Sequence, residues 1–226
     1  MDIYFLILVV PAFLFALFSQ FMVKSTFSKY SKVQSASGLT GADVARMILE
    51  KNGIMDVRVQ PGPGQLTDNY DPGKRMITLS ETVFGSTSIA AIGVAAHETG
   101  HALQHAENYS PVALRTALVP IAGIGSQMGP YLAIFGLIFS IQWLVTIGLL
   151  FYGIAVVFYL VTLPVEFNAS KRAIEVIQSV GILDDSEIHG ADKVLKAAAM
   201  TYVASAAVAM ASFLRLILLS NSRRRY

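Results

Sequence analysis

Residues Thr116–Val165 read TALVPIAGIGSQMGPYLAIFGLIFSIQWLVTIGLLFYGIAVVFYLVTLPV and contain no charged side chain. As helix at 1.5 Å per residue this stretch would be about 75 Å long, more than twice the ~30 Å hydrocarbon core of a bilayer, so it predicts two crossings. Ser140, Gln142 and Trp143 mark the tip of the hairpin, because tryptophan favours the headgroup level. Pro130, following Gly129, is expected to kink the first arm, which membranes tolerate where neighbours satisfy the freed carbonyl.

Beyond the second arm, Pro164 followed by Glu166 to Ser179 and Gly181 predicts a polar helix with a proline near its start and a glycine stop. Ala197 to Ser220 predicts a last apolar helix, with Arg215 as its only charge and small residues suited to close packing against the hairpin. At the other end, Ile3 to Val23 is apolar apart from Ser19 and Gln20, and Lys24, Lys29 and Lys32 follow it. This order, apolar run before lysines, predicts a membrane anchor rather than a cleaved signal peptide. The lysines and Arg46 favour a cytoplasmic face for the segment after the anchor, whereas the Arg223 to Arg225 tail opposes a full fourth crossing, so that crossing is left open.

Composition agrees with a membrane protein: of 226 residues, 54% are hydrophobic and 14% charged. A net charge of +2 without a basic stripe argues against nucleic acid as a partner. The absence of cysteine excludes disulfides, thiolate metal sites and a cysteine nucleophile, and fits a polar part facing a reducing compartment.

That polar part is Ser35 to Asn108. A helix is predicted from Thr40 or Gly41 through Ala45, Ile48 and Leu49 to Gly53, then a short strand at Val57 to Val59. Pro61-Gly62-Pro63-Gly64 and Asp71-Pro72-Gly73 read as turns, and Met76 to Leu79 as a second strand. Ser86-Thr87-Ser88 offers N-caps for a helix over Ile89 to His105. Its first two turns are small and aliphatic nearly all round, which predicts burial.

The abrupt polar end of that helix is His97-Glu98-Thr99-Gly100-His101. Two histidines at i and i+4 share a helix face and can bind one zinc, with the intervening glutamate placed to act on a water at the metal. Catalytic zinc takes three protein ligands and keeps one open position. His105 continues the series but would lie about 12 Å from His97 along a continuous helix, too far for ligands gathered within ~2 Å of one ion. It is better read as a group beside the ligands or on the surface. Among the carboxylates beyond the hairpin, Glu166 is favoured, because an even number of crossings returns the chain to the side of His97. Glu175, Glu187 and Asp192 are the fallbacks.

His97-Glu98-Thr99-Gly100-His101 followed, across a hydrophobic hairpin, by Glu166-Phe167-Asn168-Ala169-Ser170 resembles the neutral zinc membrane peptidases of the YugP-like group over nearly the full chain. More distantly it is similar to the HtpX and CAAX prenyl protease gluzincins, in which the glutamate of an ExxxD pattern is the third zinc ligand. That resemblance implies Glu166 as the third ligand. Ser170 stands where those relatives carry an aspartate that braces a ligand histidine, so a serine hydrogen bond would replace it.

The fold expected is therefore mainly α with some β: a polytopic helical membrane protein with a small zincin-like domain and short strands before the motif helix. The chain divides into an anchor (1–23), a zincin-like region (24–112), a transmembrane hairpin (113–165), and a third-ligand helix with the last apolar helix (166–226). The activity expected is zinc-dependent endopeptidase, with His97, His101 and Glu166 holding Zn2+ and Glu98 as general base. His105, Ser170, Asn168, His189 and Tyr202 are candidates to brace ligands or steady the oxyanion. Met76 to Leu79 could offer an open edge to an extended peptide. Peptide or membrane-protein substrates, the bilayer and membrane-protein partners are the contacts implied. The active site is expected on the cytoplasmic side of the cell membrane, at or above its surface, because the motif helix leads into polar Glu107-Asn108. Two rivals predict different behaviour. A scaffold with a structural zinc would not need Glu98, and a transporter would carry ionisable groups inside its spans, which Thr116 to Val165 lacks.

Overall fold

The computed structural model describes residues 2–223, and Arg224 and Arg225 of the basic tail lie outside the described residues. A π-helical segment, Phe5–Val9, leads into α1 (Val10–Tyr30). There follow α2 (Gly41–Lys51), β1 (Arg58–Gly62), β2 (Asn69–Asp71), β3 (Met76–Ser80), α3 (Glu81–Phe84), α4 (Ile89–Ala106), α5 (Ser110–Ile138), α6 (Gln142–Val180) and α7 (Asp185–Arg223). The fold is mostly helical with one small sheet. Four helices, Phe5–Tyr30, Ser110–Ile138, Gln142–Val180 and Asp185–Ser222, are long and apolar enough to cross a membrane. The chain forms two compact units: one of 1–20, 110–164 and 200–226, the other of 21–109 and 165–199.

In the first unit the α5–α6 hairpin is held by backbone approach at glycines. A Cβ on Gly129 would stand 2.8 Å from the Cβ of Tyr152, and one on Gly136 would stand 2.6 Å from the amide nitrogen of Val145. Small residues thus let two apolar helices pack backbone against backbone. The turn falls at Ser140, with φ of 59°, as the polar tip predicts, and Trp143 beside it is exposed. α5 runs through both Pro120 and Pro130.

In the second unit α4 is the central element. One face packs Ile89, Ile92, Ala96 and Leu103 against Val44 and Ile48 of α2, Ala173 and Ile177 of α6, and Ala191 and Leu195 of α7. The other packs Ala91, Ala95 and Ala102 against Ile77, Leu79, Val83 and Leu49. This two-sided burial is what an apolar surface all round the first turns requires. Thr40 caps α2 through a reciprocal pair with Asp43, and Ser88 caps α4 by accepting from the Ala91 amide.

The strand order is β1-β3-β2, with β1 parallel and β2 antiparallel to β3. The expected open edge at Met76 to Leu79 is therefore wrong: β3 is paired on both sides, and the edges belong to β1 and β2. β2 has only three residues, too few for a period-two pattern to register. Pro61 and Gly62, read as turn residues, extend β1 instead, which an edge strand allows because proline need not donate to a ladder there.

A second correction concerns Pro164. It does not open a new helix but lies inside the continuous α6. A proline in a helix interior costs ~3 kcal/mol, yet the segment after it is anchored by Val165, Ala169, Ala173 and Ile177, all essentially buried. Packing of that flank outweighs the local penalty. α6 then ends where expected, at Gly181, whose φ of +72° suits a glycine after a helix.

Candidate metal centre

α4 and α6 cross at Gly100. A Cβ there would lie 2.6 Å from the carbonyl oxygen of Ala169, so only glycine permits this spacing. The crossing brings Glu166, one turn before Ala169, and Ser170, just after it, against the motif turn of α4.

The Nε2 atoms of His97 and His101 lie 3.3 and 3.5 Å from Oε2 of Glu166. The three donor atoms all lie within 4.8 Å of one another. Ligands at 2.0–2.1 Å in a tetrahedral array stand about 3.3–3.4 Å apart, so both histidine-to-glutamate separations suit one zinc, and two imidazoles with a carboxylate are a donor set zinc accepts. Glu166 is 1% exposed. A carboxylate so deeply buried needs positive charge beside it.

Glu98, on the same turn, is also buried. Burial raises its carboxyl above the usual carboxylate range, opposed by His97 and His101 and reinforced by Asp68 and Glu166. Asp68, just before β2, is itself raised by burial, against hydrogen bonds it accepts from the amide (2.8 Å) and hydroxyl (3.1 Å) of Ser80. For His101, burial pulls downward, but Glu166 and Glu98 more than offset it, leaving the imidazole raised.

Each ligand-type histidine has a partner on its far nitrogen. Nδ1 of His97 is 3.1 Å from the Ser170 hydroxyl, and Nδ1 of His101 is 3.0 Å from Oε1 of Gln104. Gln104, wholly buried, donates from Nε2 to the Val165 carbonyl (2.8 Å) and to Oδ1 of Asn168 (2.9 Å). Asn168 also accepts from Nε of Arg172 (2.7 Å), and Arg172 pairs with Glu107 at 2.7 Å. Gln104 is the residue that sequence reasoning missed. Its i+3 spacing from His101 placed it on the ligand's face, and that was the available signal.

The remaining candidates fall elsewhere. His105 stands edge-on to Tyr70 of β2, ring centroids 5.7 Å apart, and burial with His101 and Arg75 nearby lowers its imidazole. His189 is exposed near the start of α7, and Tyr202 belongs to the first unit. Of the fallback carboxylates, Glu175 pairs with Lys171 and Asp192 with Lys196. Glu187 accepts from the amides of Ala36 (2.7 Å) and Asp184 (3.0 Å). Among the described residues His97, His101 and Glu166 are the group spaced to hold a metal ion.

Over residues 5–221 the chain matches the family described as "Putative neutral zinc metallopeptidase". It belongs to that family. A curated member of similar length, the "Putative membrane protease YugP" of Bacillus subtilis (strain 168), is 46% identical over 215 residues, which are 95% of this chain and 96% of the relative. No solved structure matches the chain significantly. The histidine–glutamate cluster is a group that could hold the metal named in the family's description, and the four long apolar helices fit the relative's description as a membrane protease.

Proposed function

We propose that this protein is a membrane-embedded zinc endopeptidase of the gluzincin type. His97, His101 and Glu166 hold the metal, and Glu98 is the general base and acid. The observation that carries the reading is the convergence of both Nε2 atoms on one oxygen of Glu166, with the Glu98 carboxyl buried on the same helical turn.

Zinc, when bound, polarises the scissile carbonyl and lowers the pKa of the attacking water. The chain's own contribution is positional. Glu98 takes a proton from the water as it attacks and returns it to the leaving amine, and its raised carboxyl suits it to both tasks. Because β3 is interior, an extended peptide would pair along β2, the edge strand whose Tyr70 meets His105 of the motif helix. Backbone pairing of that kind makes modest sequence selectivity the expectation. The anchor, the hairpin and the last helix are assigned to the bilayer, and the small sheet with α4 forms a zincin-like domain. The lysines after the anchor favour a cytoplasmic active site, with peptide segments of membrane proteins as accessible substrates.

The test is elemental analysis of detergent-purified wild type, Glu166→Ala and Glu98→Gln, with casein cleavage measured on the same samples. We expect about one zinc per chain in wild type and its loss in Glu166→Ala. Glu98→Gln should keep the metal while cleavage falls by ~10²-fold or more. Undiminished cleavage by Glu98→Gln would sink the mechanism, and zinc retained in Glu166→Ala would remove that ligand.

A further inference from the structure

We infer that Gln104 is a positioning residue that fixes which nitrogen of His101 carries the proton, and that Arg172 and Asn168 fix Gln104 in turn. The inference rests on the zinc reading above and adds to it how one ligand is held ready.

Two fixed points determine the hydrogen-bond directions. A peptide carbonyl can only accept, so the Gln104 atom 2.8 Å from the Val165 oxygen must be the amide nitrogen. A guanidinium can only donate, so the Asn168 atom 2.7 Å from Nε of Arg172 must be the amide oxygen. The two assignments meet consistently in the 2.9 Å contact between Gln104 and Asn168, where nitrogen donates to oxygen. Flipping either amide would set oxygen against oxygen or N–H against N–H. Gln104 therefore presents its oxygen to His101, and Nδ1 of His101 donates to it across 3.0 Å. A proton is thus held on Nδ1, which leaves Nε2, the nitrogen facing Glu166, as the one to bind the metal. Glu107 completes the chain by fixing Arg172 at 2.7 Å.

His97 is held differently. Its Nδ1 meets the Ser170 hydroxyl, which can either donate or accept, so that bond imposes no proton position. One ligand is polarised by its surroundings and the other adapts. The relay also crosses between elements, since His101, Gln104 and Glu107 lie on α4 while Val165, Asn168 and Arg172 lie on α6. It therefore couples the ligand's proton to the helix crossing that brings in Glu166.

Three substitutions separate direction from mere packing. Gln104→Met keeps the length of the side chain but removes the oxygen that accepts from His101. Asn168→Asp keeps an acceptor facing both Gln104 and Arg172, so it preserves every direction in the relay. Ser170→Ala removes the adaptable partner of His97. Zinc affinity is measured by chelator competition on the full-length protein in detergent, with folding checked by circular dichroism. The nitrogen of His101 that keeps its proton is read by ¹⁵N NMR of the zinc-loaded protein. We expect Gln104→Met to weaken zinc ~10–100-fold, the usual effect of losing a ligand's outer partner, and to let zinc bind either nitrogen of His101. Asn168→Asp should hold the loss within about threefold and keep the Nδ1–H form, and Ser170→Ala should weaken zinc less than Gln104→Met does. Zinc affinity unchanged in folded Gln104→Met, or zinc-loaded wild type with the proton on Nε2 of His101, would overturn this assignment while leaving the peptidase reading intact. A wild-type protein that takes up no zinc would overturn both.

Discussion

Asp2 and Arg215 show at the residue scale how a charge is accommodated on an apolar helix. The guanidinium of Arg215 makes a two-pronged contact with the Asp2 carboxylate, 2.7 Å from Nη2 and 3.1 Å from Nε, and its cation lies 5.2 Å from the centre of the Phe5 ring. The hydrogen bond from Arg215 holds the Asp2 carboxyl down to about 2, below its usual 3.8. Because the folded value is the lower one, the pair stabilises the protein fully above the unfolded value. That contribution is lost as pH falls through about 2. Asp2→Asn should lower the detergent melting temperature at pH 7, and the gap from wild type should close as pH falls below 4 toward 2. A gap that persists at pH 2 would mean the pair is not its cause. The residues of the candidate metal centre differ in how far their placement was legible in the sequence. His97, Glu98 and His101 form a local pattern whose spacing alone specifies a shared face. Glu166 needed the crossing parity and the family resemblance as well. Gln104 looked like an ordinary polar helix residue, because its significance depends on a carbonyl and an amide 61 and 64 positions away.

At the scale of elements the decisive contact is the α4–α6 crossing. Alanine normally stabilises a helix interior over glycine by ~1 kcal/mol. At Gly100 the added methyl would stand 2.6 Å from the Ala169 carbonyl, so α4 and α6 must part by several tenths of an ångström. Gly100→Ala should therefore lower the melting temperature and weaken zinc at least ~10-fold, since Glu166 and Ser170 retreat together from the histidines. The comparison is Gly123→Ala on α5, where nothing lies within 4 Å of the new methyl and little change is expected in either quantity. Equal zinc affinity in the two variants would show that the crossing distance does not set the site. Elements were legible in the sequence where a cap or stop residue acts locally, as with Thr40, Ser88 and Gly181. They were not legible where packing overrides local preference, as when buried flanks carry α6 through Pro164, or where pairing order alone makes β3 an interior strand.

For the molecule as a whole, the first unit bears on whether the last apolar helix crosses completely. Asp2 at the start of the chain reaches Arg215 late in α7, and Gln142 at the start of α6 lines the same cavity as Ser220 and Asn221 at the end of α7. The start of the first helix, the hairpin tip and the end of α7 thus share one end of that unit. Helix lengths agree, since 38 residues of Asp185–Ser222 at 1.5 Å per residue reach about 57 Å, enough to cross ~30 Å and extend beyond it. If this unit spans the bilayer, four crossings follow, and the hairpin tip and the C-terminal end emerge on the same face. The length and pairing of these helices then outweigh the charge rule at the end of α7. The absence of cysteine makes the point directly testable with single-cysteine variants. Ser140→Cys, Asn221→Cys and Gln65→Cys place a thiol at the hairpin tip, near the end of α7 and in the loop before β2. With an impermeant maleimide applied to intact cells, the first two should label together. Gln65→Cys should label only after permeabilisation. Labelling of Ser140→Cys without Asn221→Cys would mean that α7 does not complete its crossing. Labelling of Gln65→Cys in intact cells would turn the catalytic side outward and make extracytoplasmic peptides the accessible substrates.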